Sequence, residues 1–191
     1  MSMQKVNNMK NKYFTISKIA LLAMMAAIVC VVTFFRFPLL GSKVHFANAM
    51  CLLAGLLFGP LGGGLAAGLG SAIYDSMSYD FVQCMITFVS KFLMAAVCAW
   101  VARPKKAEIR HGRMILGCIL GALAYVALYM LKTYVYQAFV YGYPMDTVWA
   151  TMLSKLPASL INAVVAFIAA PIIYSALYPA LKRAGLLEKL W

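Results

Sequence analysis

Three lysines are the residues of this sequence whose presence most needs a chemical explanation. Lys91, Lys132 and Lys155 each lie inside a long apolar stretch that contains no acidic residue to neutralise the ammonium group. A lysine at bilayer depth costs about 2.5–3.5 kcal/mol on insertion scales, so such residues usually face a cavity or a pathway. An anionic or strongly polar ligand is therefore a candidate partner for these charges.

Helical spacing places each lysine on a stripe of polar or aromatic side chains. Residues three or four apart share a helix face, and three stripes follow this spacing: Tyr125, Tyr129, Lys132 and Tyr136; Met152, Lys155, Ser159 and Asn162; and Cys84, Thr87 and Lys91. At a rise of 1.5 Å per residue, Lys155 lies about 10 Å below the outer surface and Lys91 close to the midplane. We predict that the stripes converge into a polar pocket with aromatic walls, open to the outside.

Each of these residues also has a purely structural interpretation. Lys132 and Lys155 could extend outward along their apolar stems to reach water. Lys91 is too deep for that, and could instead bind backbone carbonyls or loop acids. The tyrosines could serve packing or the membrane interface.

Polar residues near the outer ends of neighbouring segments extend the predicted pocket. The loop R-F-P-L-L-G-S-K after the first apolar segment is short enough to fold over a pocket, and Lys43, His45 and Asn48 join it to the second segment. His45 and Asn48 are about one helical turn apart and could face the same cavity. Asp75 and Tyr79 lie at the connection between the third and fourth segments, on the same side.

The elements that must position these residues are apolar segments long enough to enter a membrane. The chain is 64% hydrophobic and only 12% charged, whereas soluble domains are about 45–50% apolar and about 25% charged. Six segments are predicted, with a turn at Gly59-Pro60 between the second and third: residues 16–35, 44–58, 61–74, 81–102, 114–140 and 148–181. We expect an all-α membrane protein with six transmembrane helices in a single domain of residues 1–191.

The distribution of basic residues predicts the orientation in the membrane. With a cytoplasmic N-terminus, the cytoplasmic segments carry twelve lysines and arginines and the outer loops carry only Arg36 and Lys43. This bias predicts cytoplasmic N- and C-termini, and we expect the protein to lie in a bacterial plasma membrane. The net charge of +12 does not indicate nucleic-acid binding, because the basic residues cluster at helix ends.

Catalytic and metal-binding patterns are missing from the sequence. It has no H-E-x-x-H, G-x-S-x-G or Walker motif, and its five cysteines form no C-x-x-C pair. We therefore expect no enzymatic activity, no cofactor and no metal site. Spacings such as Gly55-x-x-x-Gly59 and Gly64-x-x-x-Gly68 predict close helix packing.

Two segments, HFANAMCLLAGLLFGPLGGGLAAGLGSAIYD and ITFVSKFLMAAVCAW, resemble those of a transporter family. They are similar to the substrate-binding S components of energy-coupling factor (ECF) vitamin transporters, closest to the riboflavin type. The resemblance implies high-affinity binding of a vitamin or precursor from outside, and association with a transmembrane coupling protein and two ATPase subunits. Ala23-x-x-x-Ala27 is similar to the motif by which these proteins contact the coupling subunit, with internal packing as the alternative.

The substrate stays open among several planar compounds. The unpaired lysines favour an acidic or phosphate-bearing ligand or one rich in carbonyl acceptors, and the tyrosines favour a ring that stacks. A flavin or a pyridine, pyrimidine or pterin-like compound satisfies both. Alternative functions are a stand-alone secondary transporter or channel, and a membrane-embedded enzyme. The first would be expected to carry an intramembrane carboxylate and the second interfacial metal-binding acids.

Overall fold

A computed structural model describes residues 16–39, 42–103 and 109–186, so Lys5, Lys10 and Lys12 and the segment 104–108 lie outside the described residues. Five helices in this part are long and apolar enough to cross a membrane. They are α1 (Ile16–Phe34), α2 (Ala47–Ser76), α3 (Phe81–Ala102), α4 (His111–Val135, continued by a π-helical turn at Tyr136–Val140) and α5 (Met145–Arg183).

The second helix is interrupted where the sequence predicts a turn. Gly59 has φ 77° and ψ −175°, a conformation that glycine adopts without the penalty a side chain would impose, and Pro60 follows it. Beyond this point the chain reverses, because Cys51 Sγ and Ser71 Oγ lie only 3.9 Å apart, whereas 20 residues of straight helix span about 30 Å. The predicted second and third segments therefore form two antiparallel halves of α2.

The prediction of six separate transmembrane helices is not confirmed in this form. The first half of α2, residues 47–58, is about 18 Å long at 1.5 Å per residue, which is shorter than the hydrocarbon core of about 30 Å. The apolar window of α2 is 72% buried, against 17–39% for the other helices. The two halves of α2 thus form the protein-enclosed centre of the bundle.

The segment predicted as a loop after α1 is a β-hairpin. Strand β1 (Arg36–Leu39) pairs antiparallel with β2 (Ser42–His45), with Arg36 opposite His45. Backbone pairing satisfies amide and carbonyl groups that would otherwise be exposed close to the membrane. The hairpin brings both ends of the segment to the same edge of the bundle.

Close backbone approach holds α2 against its neighbours. A Cβ atom at Gly55 would collide with the carbonyl oxygen of Ala95 in α3, and one at Gly70 would collide with that of Ala26 in α1. The core around these contacts consists of small and aliphatic side chains, including Leu52, Leu56 and Met94. The glycine-rich composition of α2 therefore serves packing, as its spacing predicts.

Helix α5 is continuous over 39 residues despite three internal prolines. At about 58 Å, it is longer than the membrane is thick. Pro157 lacks an amide hydrogen, so the carbonyl four residues earlier loses its helical partner. This weakened turn, from Leu153 to Pro157, contains Lys155 and lies beside the predicted pocket.

Candidate functional site

A cavity of about 660 Å³ opens at one end of the bundle. Its wall is built from the last turn of α1, the hairpin, both ends of α2, the first half of α3, the end of α4 with its π-helical turn, and α5. Cavities that hold small organic ligands measure about 300–1,000 Å³. The cavity is therefore large enough for a ligand of vitamin size.

Most of the predicted pocket residues surround this cavity. Ten of them line it: His45, Asp75, Tyr79, Lys91, Tyr129, Lys132, Tyr136, Lys155, Ser159 and Asn162. Lys43 lies in β2 opposite Pro38, but its side chain lies outside the described part of the structure. Asn48 is 1% exposed and lies behind the wall, so its prediction as a cavity-facing residue is wrong.

Asn48 instead holds the deepest lysine. Lys91 is only 4% exposed, and its Nζ donates a hydrogen bond to Asn48 Oδ1. The same ammonium group lies 3.9 Å from the centroid of the Tyr125 ring, within range of a cation–π interaction. The acceptor of Lys91 is thus a side-chain amide rather than the backbone carbonyls or loop acids considered above.

Lys132 also has a neutral partner. Its Nζ donates to Gln83 Oε1 at 2.6 Å and lies 5.9 Å from the centroid of the Tyr136 ring. The carboxylate of Asp75 accepts a hydrogen bond of 2.5 Å from Thr87 Oγ1. Lys132 lines the cavity and is held there by Gln83.

Among Lys91, Lys132 and Lys155, it is Lys155 that makes no hydrogen bond to another described residue. It is half-buried, lines the cavity, and is close enough to Lys132 for the two charges to interact. An ammonium group carries three donors. Lys155 can therefore donate to a bound molecule without giving up a protein partner.

Further buried polar atoms around the cavity lack partners within the described chain. They are His45 Nδ1, Asn48 Nδ2, Gln137 Oε1 and Ser159 Oγ, and three of these four residues line the cavity. An unsatisfied buried donor or acceptor costs about 1–3 kcal/mol. A polar ligand or water inside the cavity would remove this cost.

The hairpin is attached to the cavity wall through His45. Its backbone N–H donates to Asn162 Oδ1 at 2.9 Å. Burial, followed by the positive charges of Lys91 and Arg36, lowers the pKa of His45 from 6.5 to about 3. The imidazole is therefore neutral at physiological pH and offers one donor and one acceptor.

Two tyrosine rings of α4 stack on each other in the cavity wall. Tyr125 and Tyr129 stack with centroids 6.2 Å apart and planes inclined by 21°. Across the cavity, the guanidinium of Arg36 lies 4.9 Å from the centroid of the Tyr74 ring. Tyrosine rings of this kind suit a planar ligand that can stack and accept hydrogen bonds at its edge.

Several lining residues were not predicted as site residues. Arg36 was used only to assign orientation, although its position at the start of the loop predicted to fold over the pocket indicated nearness to it. Gln137 is five residues after Lys132, and the π-helical turn changes the spacing so that both line the cavity. Sequence spacing alone assumes a regular α-helix and does not reveal such a turn.

Comparison with known proteins identifies the family. Residues 13–179 match the family described as the S component of ECF-type riboflavin transporters. The chain belongs to this S-component family. Its fold is similar to a solved S component of a bacterial ECF transporter, with a TM-score of 0.60, 22% sequence identity, and coverage of 86% of this chain and 97% of that one.

A sequence relative extends the comparison to another organism. A protein of Pyrococcus woesei described as "Uncharacterized protein in gap 3'region" is 34% identical over 102 residues. The match covers 52% of this chain and 66% of that protein, just under two thirds of its length. Its description states no activity.

Membership of the family defines the class of molecule. S components are multi-pass proteins of the cell membrane and are transporter subunits, not enzymes. The five apolar helices of this S component agree with a multi-pass arrangement.

Proposed function

We propose that this S component is the high-affinity substrate-binding subunit of an ECF-type importer for a water-soluble vitamin or vitamin precursor with a planar ring. A flavin is the first candidate, and pyridine, pyrimidine and pterin-like compounds are the others. The observation that supports this proposal is the cavity of about 660 Å³, which combines the stacked rings of Tyr125 and Tyr129 with lysines and unsatisfied polar atoms.

The proposed binding site faces the outside of the cell. The basic residues of the chain favour cytoplasmic N- and C-termini. In that orientation the C-terminal end of α1, the hairpin and the N-terminal ends of α3 and α5 lie on the outer side. The cavity is built from these ends, so a substrate enters it from outside.

A separate surface of α1 is proposed to contact the coupling protein. Ala23 and Ala27 are both exposed, which supports contact with a partner more than packing inside this chain. Four-residue spacing of small side chains allows another helix to approach closely. We propose that the transmembrane coupling protein binds this face and that two separate ATPase subunits supply the energy for transport.

The identity of the ligand is tested by purifying the S component in mild detergent without any ATPase. Small molecules released by denaturation are identified by mass spectrometry, and the emptied protein is titrated with riboflavin and with pyridine, pyrimidine and pterin vitamins. We expect one of them to co-purify or to bind with submicromolar affinity. Failure of all of them to bind to folded protein would refute the proposed substrate group.

The role as a dependent subunit is tested separately in liposomes. Uptake of the identified ligand should require the coupling protein, the ATPases and ATP. Uptake by the S component alone, driven by an ion gradient, would instead establish a stand-alone secondary transporter. Binding measurements on the same preparation show that the protein in the liposomes is folded.

A further inference from the structure

We propose that the cavity contains a subsite for an anionic group, either a phosphate ester or a carboxylate, between Lys132 of α4 and Lys155 of α5. This inference rests on the proposed function, since it concerns the ligand of the same cavity. It adds that the ligand carries a negative charge.

The described residues that line the cavity carry an excess of positive charge. Four cationic side chains, those of Arg36, Lys91, Lys132 and Lys155, face a single carboxylate, that of Asp75. His45 adds no charge at neutral pH, because its pKa is about 3. A neutral ligand would leave three positive charges uncompensated in a partly enclosed space, whereas an anion would interact favourably with them.

The partners of these cations indicate where the anion binds. Lys91 is enclosed by Asn48 and the Tyr125 ring, and Arg36 lies over the Tyr74 ring. Lys132 has one neutral acceptor in Gln83, and Lys155 has no hydrogen bond from the described residues.

The ammonium group of Lys132 interacts more strongly with the carboxylate of Asp75, but it is also close enough to that of Lys155 for the two positive charges to repel each other. An anion between them would relieve this repulsion and accept hydrogen bonds from both ammonium groups.

A buried hydroxyl group provides a second and independent observation. Ser159 lies four residues after Lys155 and hence on the same face of α5. It is 3% exposed, lines the cavity, and its Oγ has no partner in the described structure. A hydroxyl donor on the same helix face as Lys155, in the cavity that Lys132 also lines, suits an oxyanion with several acceptor oxygens.

The first experiment tests anion binding without assuming the nature of the ring. Thermal unfolding of the purified full chain in zwitterionic detergent is followed with increasing inorganic phosphate or malonate, against chloride at equal ionic strength. We expect one of the two anions to stabilise the protein. Lys155→Gln should weaken its apparent affinity about tenfold, whereas the exposed Lys182→Gln and the charge-conserving Lys155→Arg should not.

The second experiment compares riboflavin with riboflavin 5′-phosphate on the same variants. We expect the phosphate ester to bind about tenfold more tightly than riboflavin, and Lys155→Gln to abolish this difference while riboflavin still binds. If phosphate protects through Lys155 but no flavin binds, the flavin assignment fails and the subsite stands. If riboflavin binds and neither its phosphate nor any soluble anion depends on Lys155, the subsite is wrong and the proposed function stands.

An anion could also come from a lipid headgroup. Nanodiscs of phosphatidylcholine with and without phosphatidylglycerol separate this source from a soluble ligand. Protection by phosphatidylglycerol that depends on Lys155, without protection by phosphate or malonate, overturns the proposal. Preference for phosphate over malonate, or the reverse, assigns the chemical form of the anionic group.

Discussion

The pair formed by Lys91 and Asn48 permits a quantitative test of the buried polar interior. Both residues are almost fully enclosed, at 4% and 1% exposure. Replacing Asn48 with leucine removes the acceptor of a buried ammonium group, which costs about 1.5–3 kcal/mol for a hydrogen bond to a charged group. Replacing Lys91 with methionine leaves the amide of Asn48 unpaired, which costs about 1–3 kcal/mol.

The double variant distinguishes this pair from two independent sites. Simple addition of the central values predicts a loss of about 4 kcal/mol. When both polar partners are replaced by apolar groups of similar shape, however, the change is close to neutral. We therefore expect the Asn48→Leu/Lys91→Met protein to lose no more than about 1 kcal/mol, a coupling of about 3 kcal/mol.

The measurement is reversible unfolding of the three variants in mixed micelles. The exposed Thr151→Val variant is the matched control, because Thr151 Oγ1 donates within its own helix at the surface and its replacement should change stability by less than about 0.5 kcal/mol. A double variant whose loss equals the sum of the single losses would refute the hydrogen bond between Asn48 and Lys91. Such a result would leave Lys91 dependent on the Tyr125 ring or on cavity water.

Three further predictions concern packing, partner contact and pH. Gly55→Ala should lower the free energy of unfolding by more than 1 kcal/mol, roughly the cost of overpacking. Gly112→Ala should be tolerated, because nothing lies within 4 Å of the added Cβ. Equal effects of the two variants would contradict the close approach of α2 and α3. Ala27→Leu should abolish most ATP-dependent uptake and leave ligand binding unchanged. Ala127→Leu, at an exposed alanine of α4, should affect neither uptake nor binding. Loss of ligand binding in Ala27→Leu would show that α1 uses this face internally. The folded protein lowers the pKa of His45 to about 3, so the neutral imidazole stabilises the fold fully above pH 6.5. The free energy of unfolding then falls as the pH drops toward 3, by at most about 2 kcal/mol at pH 5. Unfolding measured against pH should show this loss in the native protein and a smaller one in His45→Gln; identical profiles would contradict the burial of the imidazole.

Much of the cavity wall was predictable because helix periodicity acts over short distances. Tyr129 and Lys132 share a face of α4 by spacing alone, and Lys155 and Ser159 share a face of α5. The lengths of the apolar segments predicted the positions of these helices, because each helix must place a continuous run of hydrophobic residues in the protein interior or in the lipid. What periodicity does not provide is the partner of each polar group across the bundle.

The residues that were placed wrongly depend on contacts between distant parts of the chain. Asn48 pairs with Lys91, 43 residues away, and its direction is fixed by packing between α2 and α3 rather than by its own helix. The reversal at Gly59 was recognised as a turn, but its consequence for the length of each half required the dihedral angles. The hairpin was missed because Pro38 lies in β1, and proline is normally depleted from strands.

The polar interior of the cavity links the lifetime of this protein to its cargo. An empty S component retains uncompensated charges and unsatisfied atoms, which the bound molecule would neutralise and pair. A ligand present at about 100 times its dissociation constant adds about 2.7 kcal/mol to the free energy of unfolding. Where quality-control proteases remove unfolded membrane proteins, the supply of the proposed ligand would then regulate how many copies of this protein persist, with no change in gene expression.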